Sequence, residues 1–140
     1  MMILLDTNII MDALQEREPF DIEAKEILKR AQEGEFSLLF TANSAADIFY
    51  LYSKARGIKS AKTALDFLLK NYGAVSVTHE DCAFALSSSI EDFEDALVAV
   101  CAHKVNADYI ITRDEKFLKA NSPVKIVKPK ELLDYPDKRQ

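Results

Sequence analysis

The sequence has 140 residues, a hydrophobic fraction of 49% and a formal net charge of −5. This length is that of one ordinary domain, and the apolar content is sufficient for a single core. No stretch approaches the roughly 20 consecutive apolar residues that a membrane-spanning helix needs, which excludes an integral membrane helix. The negative charge argues against binding of nucleic acid through a broadly basic surface. Acids that cluster around divalent cations would reverse the local field and weaken that objection.

The N-terminus and the cysteines indicate a cytoplasmic protein. The first residues, MMILLDTN, have no basic region and reach an acid at Asp6, so they do not form a signal peptide. Cys82 and Cys101 have neither CxxC spacing nor histidines at ligand spacing, and we expect buried thiols in a reducing compartment. We expect one domain over residues 1–134 and a frayed tail over residues 135–140.

Short apolar runs alternate with amphipathic segments along the chain. In chain order we predict a strand at 2–5, a helix at 9–14, a helix between Pro19 and Gly34, a strand at 36–40, helices at 44–56 and 59–71, a strand at 74–77, helices at 79–86 and 92–103, a strand at 109–111, a short helix at 114–119, a strand at 124–127 and a helical turn at 129–133. Strands that alternate with helices predict a parallel sheet covered on both faces. The expected fold class is α/β, a three-layer α/β/α sandwich whose central parallel sheet has about five short strands.

Five aspartates are expected near one edge of this sheet. Asp6 follows the first strand, Asp47 lies in the first turn of the helix after the second, Asp92 and Asp95 begin the helix before the fourth, and Asp114 follows the fourth. Ligands bind at the carboxyl ends of the strands in such folds. Carboxylates that lie close together repel one another unless cations or protons compensate. Because oxygen-only ligation suits Mg²⁺ or Mn²⁺ rather than zinc, the pattern predicts a site for one of these ions.

Helix capping offers an alternative explanation for the same acids. Three segments match the capping box, in which Ser or Thr is followed three residues later by an acid: Ser44 to Asp47, Ser89 to Asp92 and Thr112 to Glu115. Asp6 is placed to cap the helix after the first strand. Capping and metal binding are compatible, because a helix N-terminus can aim a carboxylate at an ion. Capping does not account for the collection of these acids at one edge.

Four short segments together resemble the PIN-domain family. They are LLDTNII at 4–10, TANSAADI at 41–48, DFEDAL at 92–97 and DYIITRD at 108–114. The resemblance covers about residues 2–127 in the family's order. It implies a parallel sheet between helices and divalent-metal-dependent cleavage of RNA. Small prokaryotic members are often toxins of the VapC type, which a small antitoxin holds inactive and which commonly dimerise.

The resemblance also implies roles for individual residues. The metal-binding positions correspond to Asp6, Asp95, Asp114, Asp47 and Asp92, and the first four of these are the expected catalytic residues. Many family members have Glu where this chain has Asp47, and Asp92 is an additional acid that fits a supporting position or a second metal. Asn8 and Thr112 fit positions that orient the acids or the scissile phosphate. Arg113 is the basic residue that we expect to contact the substrate, because it adjoins Asp114.

The sequence therefore predicts a Mg²⁺- or Mn²⁺-dependent endoribonuclease that is the toxin of a toxin–antitoxin pair. The expected partners are an RNA substrate, a small antitoxin protein and a second copy of the chain. The alternative is a catalytically inactive PIN-like module that binds RNA or a protein partner, although the retention of all the acidic positions argues against it. A receiver domain needs an acidic pair after the first strand and a phosphatase of the haloacid-dehalogenase type needs Asp-x-Asp there, and neither matches Asp6-Thr7-Asn8.

The segment at 48–52 has more consecutive large apolar and aromatic residues than one buried helix face can accommodate. Two explanations remain open for it. Some of its side chains contact another chain, either a second copy or the antitoxin, or they pack under the following helix.

Overall fold

The computed structural model describes residues 1–134, so the predicted tail at 135–140 lies outside the described residues. Its strands form one parallel sheet in the order β3-β2-β1-β4-β5. The strands are β1 (Met2–Leu5), β2 (Ser37–Thr41), β3 (Gly73–Val75), β4 (Tyr109–Ile111) and β5 (Ile126–Val127). The chain builds outward from β1 on one side, through β2 and β3, and then returns to add β4 and β5 on the other. The boundary between β1 and β4 is therefore the topological switch point of the sheet.

Helices connect the strands and cover the sheet. They are α1 (Thr7–Leu14), α2 (Asp21–Gln32), α3 (Ala42–Arg56), α4 (Ile58–Asn71), α5 (His79–Ser87), α6 (Phe93–Lys104), α7 (Glu115–Leu118) and α8 (Pro129–Leu133). Among the residues that the structure describes, no helix combines the length and the apolar character that a bilayer crossing requires. The predicted α/β class with a central parallel sheet flanked by helices is confirmed.

Two apolar clusters lie on opposite faces of the sheet because side chains alternate along each strand. Ile3 and Leu5 of β1 belong to the cluster formed with α1, α2, α3, α4 and α8. Leu4, between them, belongs to the cluster formed with α6 and α7. The central strand β1 is thus buried on both faces, which explains why its sequence MILL is continuously apolar rather than alternating.

Several helices begin elsewhere than the sequence patterns predicted, and the three predicted capping boxes were wrong. The observed N-caps are Thr41 for α3, Asp92 for α6 and Asp114 for α7. In α3 the reason is that Thr41 is both the last residue of β2 and the cap, so no loop separates strand from helix. At α5, by contrast, Thr78 and Asp81 do form a capping box. Asp6 caps α1, as the sequence indicated.

The Thr41 cap supplies a first testable prediction. Its hydroxyl is fully buried, accepts a hydrogen bond from Ser44 N at 3.2 Å and donates one to Ser44 Oγ at 3.0 Å. We expect Thr41→Val to lower the free energy of unfolding by about 1–2 kcal/mol, because the backbone donor of α3 loses its partner. Urea unfolding checks this, with Thr63→Val on the exposed face of α4 as the matched control. Equal losses in the two variants would contradict a capping role for Thr41.

Candidate functional site

Pairing of β1 with β4 brings the first and last parts of the site together. Leu5 is aligned with Ile111 in the sheet register. The ladder continues one step further, because Asp6 N donates to Ile111 O at 2.9 Å. Asp6 and Thr112, which are 106 positions apart, therefore leave the sheet side by side.

The hydroxyl of Thr112 connects the segment after β1 with the segment after β4. It is fully buried and donates to Asp6 Oδ2 at 2.8 Å. It also accepts hydrogen bonds from Asn8 Nδ2 at 3.3 Å and from Asp114 N at 3.1 Å. The other oxygen of Asp6, Oδ1, accepts from Thr7 N at 2.8 Å. Both oxygens of Asp6 are thereby oriented, and the backbone that carries Asp114 is tied to the same hydroxyl.

Asp95 is the most perturbed acid of the group. It lies in the first turn of α6, only 9% exposed, and its backbone N–H donates to Oδ1 of the cap Asp92 at 3.0 Å. Burial, followed by the negative charges of Asp92, Asp6 and Asp114, raises the pKa of Asp95 to about 7. The charges of three other predicted acids therefore act on Asp95 at the carboxyl edge of the sheet.

The pKa of Asp6 results from opposing effects. Its burial raises the pKa, the hydrogen bonds from Thr112 and Thr7 lower it, and the charges of Asp114 and Asp92 raise it again. The net shift is upward. A carboxylate that accepts two hydrogen bonds and still has a raised pKa is short of positive charge.

Asp47 is linked to the site through Glu94, an acid that the sequence analysis did not identify. Burial raises the pKa of Glu94, and the charges of Asp47, Asp92 and Asp6 raise it as well. Glu94 stands between Asp92 and Asp95 in the first turn of α6. Its position on the same helical turn as Asp95 is the sequence feature that could have identified Glu94 as a site residue. The charge of Glu94 also raises the pKa of Asp95, whereas Asp47 is not among the charges that do so.

A chain of hydroxyl groups ties the beginning of α3 to α1. Thr7 Oγ1 donates to Ser44 Oγ at 2.8 Å, and Thr41 Oγ1 donates to the same oxygen at 3.0 Å. Ser44 is buried and lies one turn before Asp47. The helix that carries Asp47 is thus fastened to the helix that Asp6 caps.

Arg113 is engaged by a buried acid of α1. Its Nε donates to Asp12 Oδ2 at 2.6 Å and its Nη2 to Asp12 Oδ1 at 3.0 Å, while its guanidinium lies 4.0 Å from the centre of the Phe20 ring. Asp12 is 0% exposed. The expected contact of Arg113 with substrate thus competes with a two-point ion pair. In this position Arg113 fastens the segment between Thr112 and Asp114 to α1.

The donor set fits a hard divalent cation in chemistry. Its members are carboxylates, and the buried Oδ1 of Asn8 has no hydrogen-bond partner among the described residues. Oxygen atoms of these kinds are the ligands that Mg²⁺ and Mn²⁺ prefer. Within residues 1–134, however, no three His, Cys, Asp or Glu side chains already stand at ligand spacing. An ion bound here would therefore draw the carboxylates closer together.

The two cysteines lie away from these acids and are unpaired. Cys101 is buried and Cys82 is half-buried. Burial raises the pKa of the Cys101 thiol to about 11, so it is an unreactive core residue.

The protein is therefore an α/β domain whose parallel sheet carries a group of carboxylates at its topological switch point. The sequence model of one family, the PIN domain, matches residues 2–116. Because this match covers most of the chain, the protein belongs to the PIN-domain family, which confirms the resemblance seen in the sequence. No curated protein sequence matches the chain.

Solved structures share the fold at low sequence identity. VapBC2 from Rickettsia felis, bound to a DNA fragment from its promoter, is 19% identical with a TM-score of 0.67 over 91% of this chain and 98% of that chain. VapC20 from Mycobacterium tuberculosis, a sarcin-ricin loop cleaving toxin, is 15% identical with a TM-score of 0.70 over 86% and 95%. VapBC-1 from nontypeable Haemophilus influenzae is 17% identical with a TM-score of 0.67 over 93% and 99%. Similarity at this level of identity shows the fold.

The raised pKa of Asp95 predicts a pH-dependent stability. A group whose pKa is higher in the folded state stabilises the fold below its unfolded pKa, near 3.8, and this contribution is lost as the pH rises through about 7. In EDTA at pH 8 we expect Asp95→Asn to be more stable than the wild type by about 2 kcal/mol, because a buried charge is removed. The difference should shrink towards zero near pH 4. Urea unfolding across this pH range measures it, and a constant difference would contradict the assignment.

The Asp12–Arg113 pair predicts a linked loss of stability and of metal affinity. Arg113→Met should lower the free energy of unfolding by about 2–3 kcal/mol, because it leaves the buried carboxylate of Asp12 with only its longer ion pair to Arg17, at 3.8 Å. It should also weaken Mn²⁺ binding in calorimetry, because Arg113 holds the segment between Thr112 and Asp114.

Lys104→Met is the matched control for this prediction. It breaks the comparable pair with buried Asp81, at 2.6 Å, and should destabilise the protein without changing Mn²⁺ affinity. Equal effects of the two variants on Mn²⁺ binding would mean that Arg113 has no special relation to the site.

Proposed function

We propose that this protein is a Mg²⁺- or Mn²⁺-dependent endoribonuclease and the toxin of a toxin–antitoxin pair. The observation that carries the proposal is that burial and the charges of Asp92 and Asp114 raise the pKa of both Asp6 and Asp95 at the switch point of the sheet. Acids whose pKa is raised in this way cost stability when they are ionised. Bound divalent cations would compensate that cost. Membership in the PIN-domain family and a fold shared with VapC toxins support the same conclusion.

The residues that would hold the principal ion are Asp6, Asp95 and Asp114, with Asp47 or Asp92 assisting a second one. When bound, such an ion lowers the pKa of a water molecule and offsets the charge that grows on the leaving oxygen. Asp47 has a shorter side chain than the Glu found in many relatives. Its position beside Glu94 suggests that these two acids share the second position.

The chain's own residues orient the acids and control one proton. Thr112 donates to Asp6 and is itself held by Asn8, and Arg113 steadies the backbone of Asp114 through its ion pair with Asp12. Without metal, Asp95 holds a proton over part of the population near neutral pH, because its pKa is about 7. Binding of a cation must release that proton.

The histidines give no sign of an alternative, metal-free chemistry. His79 is the first residue of α5 and His103 lies in the last turn of α6. Neither hydrogen-bonds to the acids in the structure as described. Ribonucleases that work without metal usually need a positioned acid–base pair, which these two residues do not supply.

A protein partner is supported by apolar surface on α3. Tyr50 is 56% exposed and Leu51 38% exposed, whereas Tyr52 packs against the core. The aromatic run is therefore divided between the interior and the surface. Exposed apolar residues of this kind are typical of interfaces, and we propose an antitoxin and a second copy of the chain as the partners.

The proposal predicts metal-dependent cleavage of RNA that depends on individual acids. Purified protein incubated with a mixed tRNA and mRNA pool should give discrete fragments in Mn²⁺ or Mg²⁺ and none in EDTA. Asp95→Asn and Asp6→Asn should reduce cleavage to background, since each removes a ligand. Asp66→Asn, which changes an exposed acid paired with Lys70 on α4, is the control and should retain activity.

The outcomes separate the nuclease from an inactive interaction module. Absence of both cleavage and Mn²⁺ binding in calorimetry would favour the module. Cleavage that persists unchanged in Asp6→Asn would remove Asp6 from the mechanism. Mn²⁺ binding without cleavage of the pool would identify a metal site and reject these RNAs as substrates.

A further inference from the structure

A cleft of about 500 Å³ opens directly beside the acid cluster. Asp92 and Asp95 of α6 form part of its wall. The opposite wall is built by α7 and the residues that follow it, from Lys116 to Asn121. Its volume lies within the range of about 300–1,000 Å³ that is typical of ligand clefts. A molecule in this cleft would therefore touch the same carboxylates that we assign to the metal.

Two lysines line the wall opposite the acids. Lys116 forms an ion pair with Glu91 at 3.5 Å, in which both side chains are largely exposed. Exposed pairs of this kind contribute little and are easily exchanged. Lys119 is exposed and forms no ion pair within residues 1–134. Both ammonium groups are available to an anion that enters the cleft.

The remaining lining is mixed in a way that suits a nucleotide. The half-buried side chains of Ile90 and Ala120 supply apolar surface. Ser89 and Asn121 supply a hydroxyl and an amide. Single-stranded RNA is recognised by apolar contact with base faces, hydrogen bonds to base edges and cationic contact with phosphates.

We propose that this cleft binds the single-stranded RNA nucleotide next to the scissile phosphate. Lys119 and Lys116 contact its phosphate, the apolar surface of Ile90 and Ala120 supports its base, and Asn121 hydrogen-bonds to the base edge. The inference rests on the proposed nuclease function and adds to it a subsite that selects the nucleotide beside the cut.

The charge balance favours an anion here only when the acids are compensated. Glu91, Asp92 and Asp95 would repel a phosphate, whereas the two lysines attract it from the other wall. A cation bound by the acids would remove that repulsion and leave the lysines dominant. The cleft is therefore expected to bind RNA better when metal is present.

The test compares substitutions inside the cleft with one outside it. In Mn²⁺, Lys119→Ala should lower kcat/KM for a single-stranded oligonucleotide by about three- to tenfold, with the loss carried mainly by KM. The slope of log KM against log salt should decrease by about 0.7, which is the value for one lost phosphate contact on a single strand. Lys125→Ala, an exposed lysine that does not line the cleft, is the control and should match the wild type. Sequencing of fragment ends should show that Asn121→Ala relaxes base preference at one position beside the cut.

Binding is measured separately, so that this subsite and the nuclease can fail independently. Fluorescence anisotropy in Mn²⁺ follows a labelled phosphorothioate analogue of the same oligonucleotide that resists hydrolysis, with the Lys119 and Lys125 substitutions each made in the otherwise wild-type chain so that the acids keep their metal. Weaker binding with Lys119→Ala alone supports the cleft, even if the wild type were to cleave nothing. Cleavage by the wild type with equal behaviour of the Lys119 and Lys125 variants would overturn the cleft and leave the nuclease standing.

Discussion

The parallel pairing of β1 with β4 is the constraint on which the site depends. It aligns Leu5 with Ile111 and continues through the hydrogen bond from Asp6 N to Ile111 O. One further residue on each strand places the carboxylate of Asp6 against the hydroxyl of Thr112. Because parallel strands end at the same edge, every segment that joins this sheet delivers its next polar residue to that edge. A shift of register by one residue would send Asp6 towards the opposite face.

The repulsion among the acids of the site destabilises the folded state, and other interactions in the fold must offset that cost. Asp95 and Asp6 are partly removed from water and surrounded by like charges, which is unfavourable for each of them. The compensation lies in the two apolar clusters on either side of the sheet and in caps that reuse the same acids. Asp92 and Asp114 each accept a backbone hydrogen bond at a helix start while they contribute charge to the cluster. Capping and the proposed metal binding are therefore compatible uses of one arrangement rather than rival explanations.

The sequence was informative about the strands and acids but not about contacts between distant residues. Short, mostly apolar runs predicted all five strands, and the position of Asp6 after the first one predicted its cap. Nothing local shows that Asp12 is fully buried, since in TNIIMDAL it resembles the exposed residue of a short helix. Its burial depends on Arg113, which is 101 positions away. Glu94 was missed for a related reason, because its role depends on how closely α6 approaches the helix that carries Asp47.

An acidic protein that acts on RNA needs a local rather than a global source of attraction. The net charge of −5 repels a polyanion at long range. Screening shortens that repulsion to about 8–10 Å at physiological salt, so the charges within the site decide the outcome. Those charges change sign when cations bind to the acids, while Lys116 and Lys119 remain positive on the facing wall. Metal occupancy would then control both the chemistry and the binding of substrate, and the protein without metal would have little affinity for RNA.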